Sequence, residues 1–195
     1  VEYAPLNSIT QGSDITFLAK SNHEYLDLYS SYFKAVVKIE KSDGSEIGAA
    51  DKVAPVNNIL HNLFRQVDCS INGKLITDSN NLYAYRAFLE NLLNFDTATK
   101  NSQLYAQGWI NDSPGLKETC LIGAADVKNE GFMKRRARAT GKTMELYGRP
   151  NIDIFLQDRL LISGCDLRLS FFPTDHEFVT IQAATDTALY KVIIK

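Results

Sequence analysis

The chain is poor in the residues that staple a fold, ligate metals or span a bilayer. Its three cysteines, Cys69, Cys120 and Cys165, are far apart and odd in number. They make neither a disulfide framework nor a CxxC metal knuckle, and they read as reduced and mostly buried. Its three histidines, His23, His61 and His176, are nowhere paired at metal-ligand spacing, so neither a metal nor another cofactor is expected. No apolar run approaches the roughly 20 residues a membrane helix needs. The opening VEYAPLNSITQGSD lacks the basic and apolar halves of a secretion leader, so no membrane insertion or export is expected. Neither sign of charge is in excess: 21 Lys and Arg stand against 23 Asp and Glu, a formal net charge of -2. Any contact with nucleic acid is therefore confined to a local patch. No GxSxG, Walker A, GxGxxG or HExxH string occurs, and with them go the ordinary signatures of an elbow serine, a phosphate cradle, a dinucleotide site and a zinc protease.

What is present is a core-forming composition and a period of two. With 195 residues, 45% of them apolar and 23% charged, the chain is long enough to bury one sizeable core, and a single domain over residues 1–195 is expected. From Tyr32 to Glu40, Phe33, Ala35, Val37 and Ile39 alternate with Tyr32, Lys34, Val36, Lys38 and Glu40, the pattern of a strand with one buried face. Val67, Cys69 and Ile71 alternate with Gln66, Asp68 and Ser70, then meet Asn72-Gly73, a pair suited to the positive φ angles of a tight hairpin; Lys74 to Thr77 is the expected return strand. Further strands are predicted over Asp14 to Leu18, Thr143 to Tyr147, Ile152 to Leu156, Cys165 to Phe172, Glu177 to Gln182 and Ala188 to Ile194. The nine segments come close to the roughly eight strands of a two-sheet jelly roll, so an all-β fold is expected, an eight-stranded antiparallel jelly-roll sandwich.

Helical signals sit between the strands, in an insertion over about residues 79–141. After Asp78-Ser79-Asn80-Asn81, the residues Leu82, Tyr85, Leu89, Leu92 and Leu93 fall on one helical face, with Arg86, Glu90 and Asn91 away from it. That apolar face is expected to meet the core. Tyr83, Tyr85 and Phe88 spread around the helix, giving it more apolar perimeter than one core face requires; part of it is expected to pack against another subunit or a second jelly roll. Shorter helices are predicted over Thr97 to Gln107 and over Pro55 to Leu63, with Pro55 in the first turn. Residues 108–140 read as a long connection.

Candidate chemistry is sparse. Asp175, His176 and Glu177 form the nearest titratable cluster and read as a solvated turn. A Cys69 nucleophile with His61 as its base is disfavoured by alternation, which puts Cys69 on a buried face. One charge run stands out, Met133-Lys134-Arg135-Arg136-Ala137-Arg138 followed by Lys142. Lys134, Arg135, Arg136 and Arg138 are candidates for a subunit or nucleic-acid contact, against a solvated loop-to-strand junction. No aromatic interleaving supports base stacking. Trp109 near Asp112 is a faint sign of a lectin-like site.

Several long strings, taken together, resemble a known family. EYAPLNSITQGSDITF, DKVAPVNNILHNLFRQVDCSINGKLITDSNNLYAYRAFLENLLNF, NSQLYAQGW, GFMKRRARAT, GRPNIDIFLQDRLLISGCDLRLSF and the terminal YKVIIK resemble, in order and over nearly the whole chain, the major capsid protein of Polinton (Maverick) elements and their adintovirus relatives. The most specific stretches are VDCSINGKLITDSNNLYAYRAFLENLL and DIFLQDRLLISGCDLRL. The resemblance implies a double jelly-roll capsid protein, similar in architecture to adenovirus hexon. Trimers of such proteins form pseudo-hexameric capsomers of an icosahedral shell, beside other capsid proteins such as a penton. It implies a virion location and brings no catalytic or metal residues.

Two departures matter. The family carries two jelly rolls in tandem, whereas this sequence is expected to hold the first and to lack the second. Residues 108–131, with KETCLIGAADVKNE, replace a short Gly/Asp connection. The function expected is therefore structural and not enzymatic. The alternative is a stand-alone jelly-roll binding module, lectin-like or repurposed from a capsid.

Overall fold

The computed structural model describes residues 1–10, 12–20, 24–123 and 125–195; His23 lies outside them. Among the described residues there are nine strands, all paired antiparallel, which fits the jelly-roll count expected. One sheet has the order β1 (Ile15–Lys20), β7 (Asp166–Pro173), β4 (Phe64–Ile71), β5 (Lys74–Leu75). The other has the order β6 (Thr143–Gly148), β2 (Phe33–Lys41), β9 (Tyr190–Ile194). A short pair joins β3 (Val53–Pro55) to β8 (Thr180–Gln182). Strands distant in sequence lie side by side, as Ile15 opposite Phe171 and Val37 opposite Ile194. This interleaving is what separates a jelly roll from a simple meander.

Alternation decides what each sheet turns inward. Ala35, Val37 and Ile39 of β2 and Met144 and Leu146 of β6 are buried, while Lys34, Thr143, Glu145 and Tyr147 face out. They share one core with Ile15, Val67, Cys69, Leu167 and Phe171 from the opposite sheet. The Phe33 ring bridges the layers, its centroid 5.2 Å from that of Phe171 and 6.2 Å from that of Phe64. Asn72 and Gly73 have φ angles of 49° and 78°, closing the expected tight turn. The return strand is only two residues long; beyond it the Cys69 amide donates to the Thr77 hydroxyl at 2.9 Å.

Several local expectations fail for identifiable reasons. Ile152 to Leu156 is not a strand but a 3-10 turn at Asp153–Phe155, whose buried Ile152 and Phe155 recur at the three-residue period of that helix. Glu177 to Gln182 divides into a helical turn, α5 (His176–Val179), and the three residues of β8. Pro55 ends β3 and does not open a helix. The helix there, α1, is Ile59–Asn62, and it starts only after Asn58 has taken a left-handed φ of 58°. Thr97 to Gln107 splits into α3 (Thr97–Asn101) and a 3-10 turn at Gln103–Gln107. Gln66, read as outward, is buried; its side chain donates to Asp68 and to the Asp78 carbonyl and accepts from the Asn81 amide. Leu169 and Cys165 are only half-buried.

Two longer helices flank the sandwich. The first, α2 (Tyr83–Asn94), lies where the sequence placed it. The second, α4 (Glu130–Ala139), was unexpected, since residues 108–140 read as a connection. Asn129 caps it, accepting from the Gly131 amide at 3.0 Å. Phe132 packs with Ala54 and Cys120 in a second, smaller core. Among the described residues no helix is long and apolar enough to cross a membrane.

Candidate functional site

The helix α2 is mounted with its apolar side outward. Its buried residues are Tyr83, Ala84, Ala87 and Asn91. The row expected to meet the core faces solvent instead: Leu82, Leu89 and Leu93 are 52%, 54% and 77% exposed, with Tyr85 and Leu92 beside them. The Tyr85 ring packs edge-on against Phe178, 5.6 Å between centroids, which extends the apolar patch onto α5. The Trp109 ring stacks on Phe88 at 5.1 Å along another side of the helix.

A buried polar network explains the inversion. His61 of α1 lies 3.0 Å by Nδ1 from the Tyr83 hydroxyl and 3.0 Å by Nε2 from Gln107 Oε1. Gln107 Oε1 can only accept, so Nε2 carries the imidazole proton and Nδ1 accepts from Tyr83. Asn91 Nδ2 donates to Asn58 Oδ1 and to Gln107 Oε1, each at 3.1 Å. The Asn151 amide donates to the Tyr83 oxygen at 3.4 Å, and its side chain to Glu90 at 2.9 Å. Burial pushes the His61 pKa down to about 4 and the Tyr83 hydroxyl well above its ordinary value. Both are neutral at pH 7. Polar side chains on α2 thus find partners inside, and the leucines are left for the surface. Along one flank of the row Arg86 pairs with Glu90 at 2.7 Å and with Asp153.

The basic run lies on α4, not at a loop-to-strand junction. Its four candidate residues face different surroundings. Arg135 is 3% exposed and donates to the carbonyls of Pro55 at 3.0 Å and Ile110 at 2.8 Å and to Asp112 Oδ1 at 2.8 Å. Arg136 donates to the carbonyls of Asp51, Gly48 and Ala49. Arg138 donates to the Tyr105 carbonyl and lies over the Tyr105 ring, 4.5 Å from its centroid. Lys134 is exposed and sits 3.6 Å from Glu130. The arginines hold α4 against the loops around it.

The remaining candidates are also placed. Cys69 is buried in the core, where desolvation raises its thiol pKa to about 12, and both nitrogens of His61 are engaged elsewhere, so the two do not form a nucleophile and base. His176 Nδ1 accepts from the Val192 amide at 3.2 Å. Among the described residues no three His, Cys, Asp or Glu side chains converge as metal ligands. Trp109 is buried, with its indole N–H donating to Asn111 at 2.8 Å, so it presents no platform to a sugar. A groove of about 890 Å³ runs between Ile9, Thr10, Gly12 and Ile15 on one side and α5 and β9 on the other, lined by Arg65, Asp175, His176 and Glu177 among others.

No family model matches the sequence. A curated protein of Caenorhabditis elegans, described as uncharacterized protein F54H12.2, is 28% identical over 169 residues, which are 83% of this chain and 38% of that protein. Among solved structures, the PBCV-1 virus capsid quasi-atomic model superposes with a TM-score of 0.50 at 12% identity, over 100% of this chain and 40% of that one. The crystal structure of PBCV-1 VP54, as fitted into a reconstruction of the virophage Sputnik, gives a TM-score of 0.48 at 12% identity, over 98% and 39% of the two chains. The strand order and the superposition at a TM-score of 0.50 show a jelly-roll fold. The chain spans about two fifths of each of these longer proteins.

Proposed function

We propose that the chain is the first jelly roll of a major capsid protein of the Polinton, Maverick or adintovirus kind, a structural subunit with no reaction of its own. The outward apolar row of α2 carries this reading. A helix that hides Tyr83 and Asn91 while exposing Leu82, Leu89 and Leu93 is built to be covered by another protein surface. The jelly-roll fold and the ordered resemblance along nearly the whole sequence support the same conclusion. In this reading trimers form pseudo-hexameric capsomers, capsomers close an icosahedral shell beside other capsid proteins, and the protein resides in the virion.

Light scattering with negative-stain microscopy across a concentration series tests it. Trimers or closed particles are expected. A full-length protein that stays monomeric at every concentration would overturn the proposal.

The groove beside α5 favours a second reading, a stand-alone binding module, because its volume falls within the usual ligand-pocket range. Thermal-shift screening against sugars and small acids tests that reading: a saturable rise in melting temperature, lost in Arg65→Ala, supports it, and no rise removes it.

A further inference from the structure

We propose that α2 is a self-complementary two-fold contact between two copies of this chain, its helices packed antiparallel. The inference rests on the assembly reading above and names the surface and symmetry of one contact.

Three observations carry it. First, the exposed row Leu82, Tyr85, Leu89 and Leu92 is spaced three, four and three residues apart, the narrow seam by which one helix packs along another. Second, the row matches its own reversal. A two-fold axis across the seam near Phe88 keeps each flank of the helix against the same flank of its mate and reverses its direction. Leu82 then lies opposite Leu93 of the other copy, Tyr85 opposite Leu92, and Leu89 near the axis. On the other flank Arg86 lies opposite Glu90 of the other copy, and Glu90 opposite Arg86, so both charge pairs are attractive. A parallel two-fold would instead set this flank against the one that carries Tyr85 and Leu92, leaving Arg86 and Glu90 with no opposite charge on the mate's helix. Third, the patch is of limited size. Five large side chains about half exposed offer roughly 400 Å² per copy, about half of what a stable pair buries on each side. Such a contact is weak alone and becomes effective where many copies make it together. A two-fold contact also cannot close a three-fold ring, so this face joins one trimeric capsomer to the next.

Charge exchange tests the geometry. Arg86→Glu and Glu90→Arg are prepared separately, their folds checked by far-UV circular dichroism, and association is followed by sedimentation alone and as an equimolar mixture. Each variant alone places like charges across the axis and is expected to associate about tenfold more weakly than the parent. In the mixture, the Arg86→Glu copy presents two carboxylates along this flank and the Glu90→Arg copy two guanidinium groups, so association returns to within about twofold of the parent. A mixture as weak as its components overturns the proposal, as do variants that associate like the parent. Leu93→Glu, at the most exposed leucine, is a further variant, and unchanged association there has the same meaning. A parent that never associates removes the assembly reading as well; a parent that associates independently of these substitutions leaves that reading and removes only the α2 contact.

Discussion

His61 Nδ1 accepts a hydrogen bond from the Tyr83 hydroxyl at 3.0 Å in the interior of the protein, and this bond joins α1 to the first turn of α2. Because Tyr83 is held inward, the helix is rotated so that its leucines emerge on the other side. The same bond makes the seating of α2 depend on a neutral imidazole.

Acid should therefore loosen the protein through His61. The groups facing it are Tyr83 from α2, Gln107 from the 3-10 turn and the Phe33 ring from β2, none of them a carboxylate that would welcome a cation. The imidazole titrates at about 4 in the folded protein, against an ordinary value of 6.5. The unfolded chain thus binds the proton more readily, and the neutral form's stabilisation is complete above pH 6.5 and lost as pH falls toward 4. The expected loss is on the order of 3 kcal/mol at pH 4. Urea unfolding at pH 7, 5.5 and 4.5 measures it; His61→Gln should flatten the decline over this window.

The basic run should prove heterogeneous in stability measurements. Arg135→Ala leaves two carbonyls and Asp112 without their buried donor and is expected to cost about 3–5 kcal/mol. Arg135→Lys keeps the charge but cannot reproduce the three-way fork, so a loss of about 1–3 kcal/mol is expected. Lys134→Ala, at an exposed side chain, should stay within about 0.5 kcal/mol of the parent. Equal effects at Arg135 and Lys134 would contradict the burial described for this helix.

The strands were legible because burial on one face of a sheet writes itself into sequence as strict alternation, as in Ala35, Val37 and Ile39. The position of α2 was legible for the same reason at helical spacing. Its orientation was not, because hydropathy sends leucines inward by default. Here the partners that draw Tyr83 and Asn91 inside, His61, Gln107 and Asn58, come from separate parts of the chain. The helix α4 was not legible because its inward side includes an arginine whose acceptors, Pro55, Ile110 and Asp112, are distant in sequence. For the assembly surface, the leucine spacing was present in the sequence, and only the structure reveals which side of the helix it occupies.

Close approach at Gly131 gives a steric prediction. A Cβ built there would lie 2.5 Å from the Asn111 carbonyl oxygen and 2.8 Å from the Asp112 Cα, and these are main-chain atoms that cannot rotate away. Gly131→Ala must push α4 off residues 111–112, disturbing the Asp112 contact to Arg135. A destabilisation of about 1–3 kcal/mol is expected, seen as a lowered urea midpoint with an unchanged slope. Gly115→Ala probes open space, with nothing within 4 Å but a φ of 76°, so any loss there is conformational alone.

Thiol labelling reports on the two cores separately. Cys69 belongs to the main core between the sheets, and Cys120 packs with Ala54 and Phe132 in the smaller core beside α4. Burial raises both thiols above their ordinary range, Cys69 to about 12, so neither supplies thiolate at neutral pH. Cys165, half-buried just before β7, should react first with a maleimide or aromatic disulfide in the native protein. Cys69 should react only on global unfolding, because it is enclosed by both sheets. Cys120 should follow α4: in Gly131→Ala or Arg135→Ala its labelling rate should rise by about tenfold or more while that of Cys69 changes only with global stability. Mass spectrometry of peptides from timed quenches resolves the three sites. Simultaneous labelling of Cys69 and Cys120 in those variants would mean that the α4 core and the sandwich open as one unit.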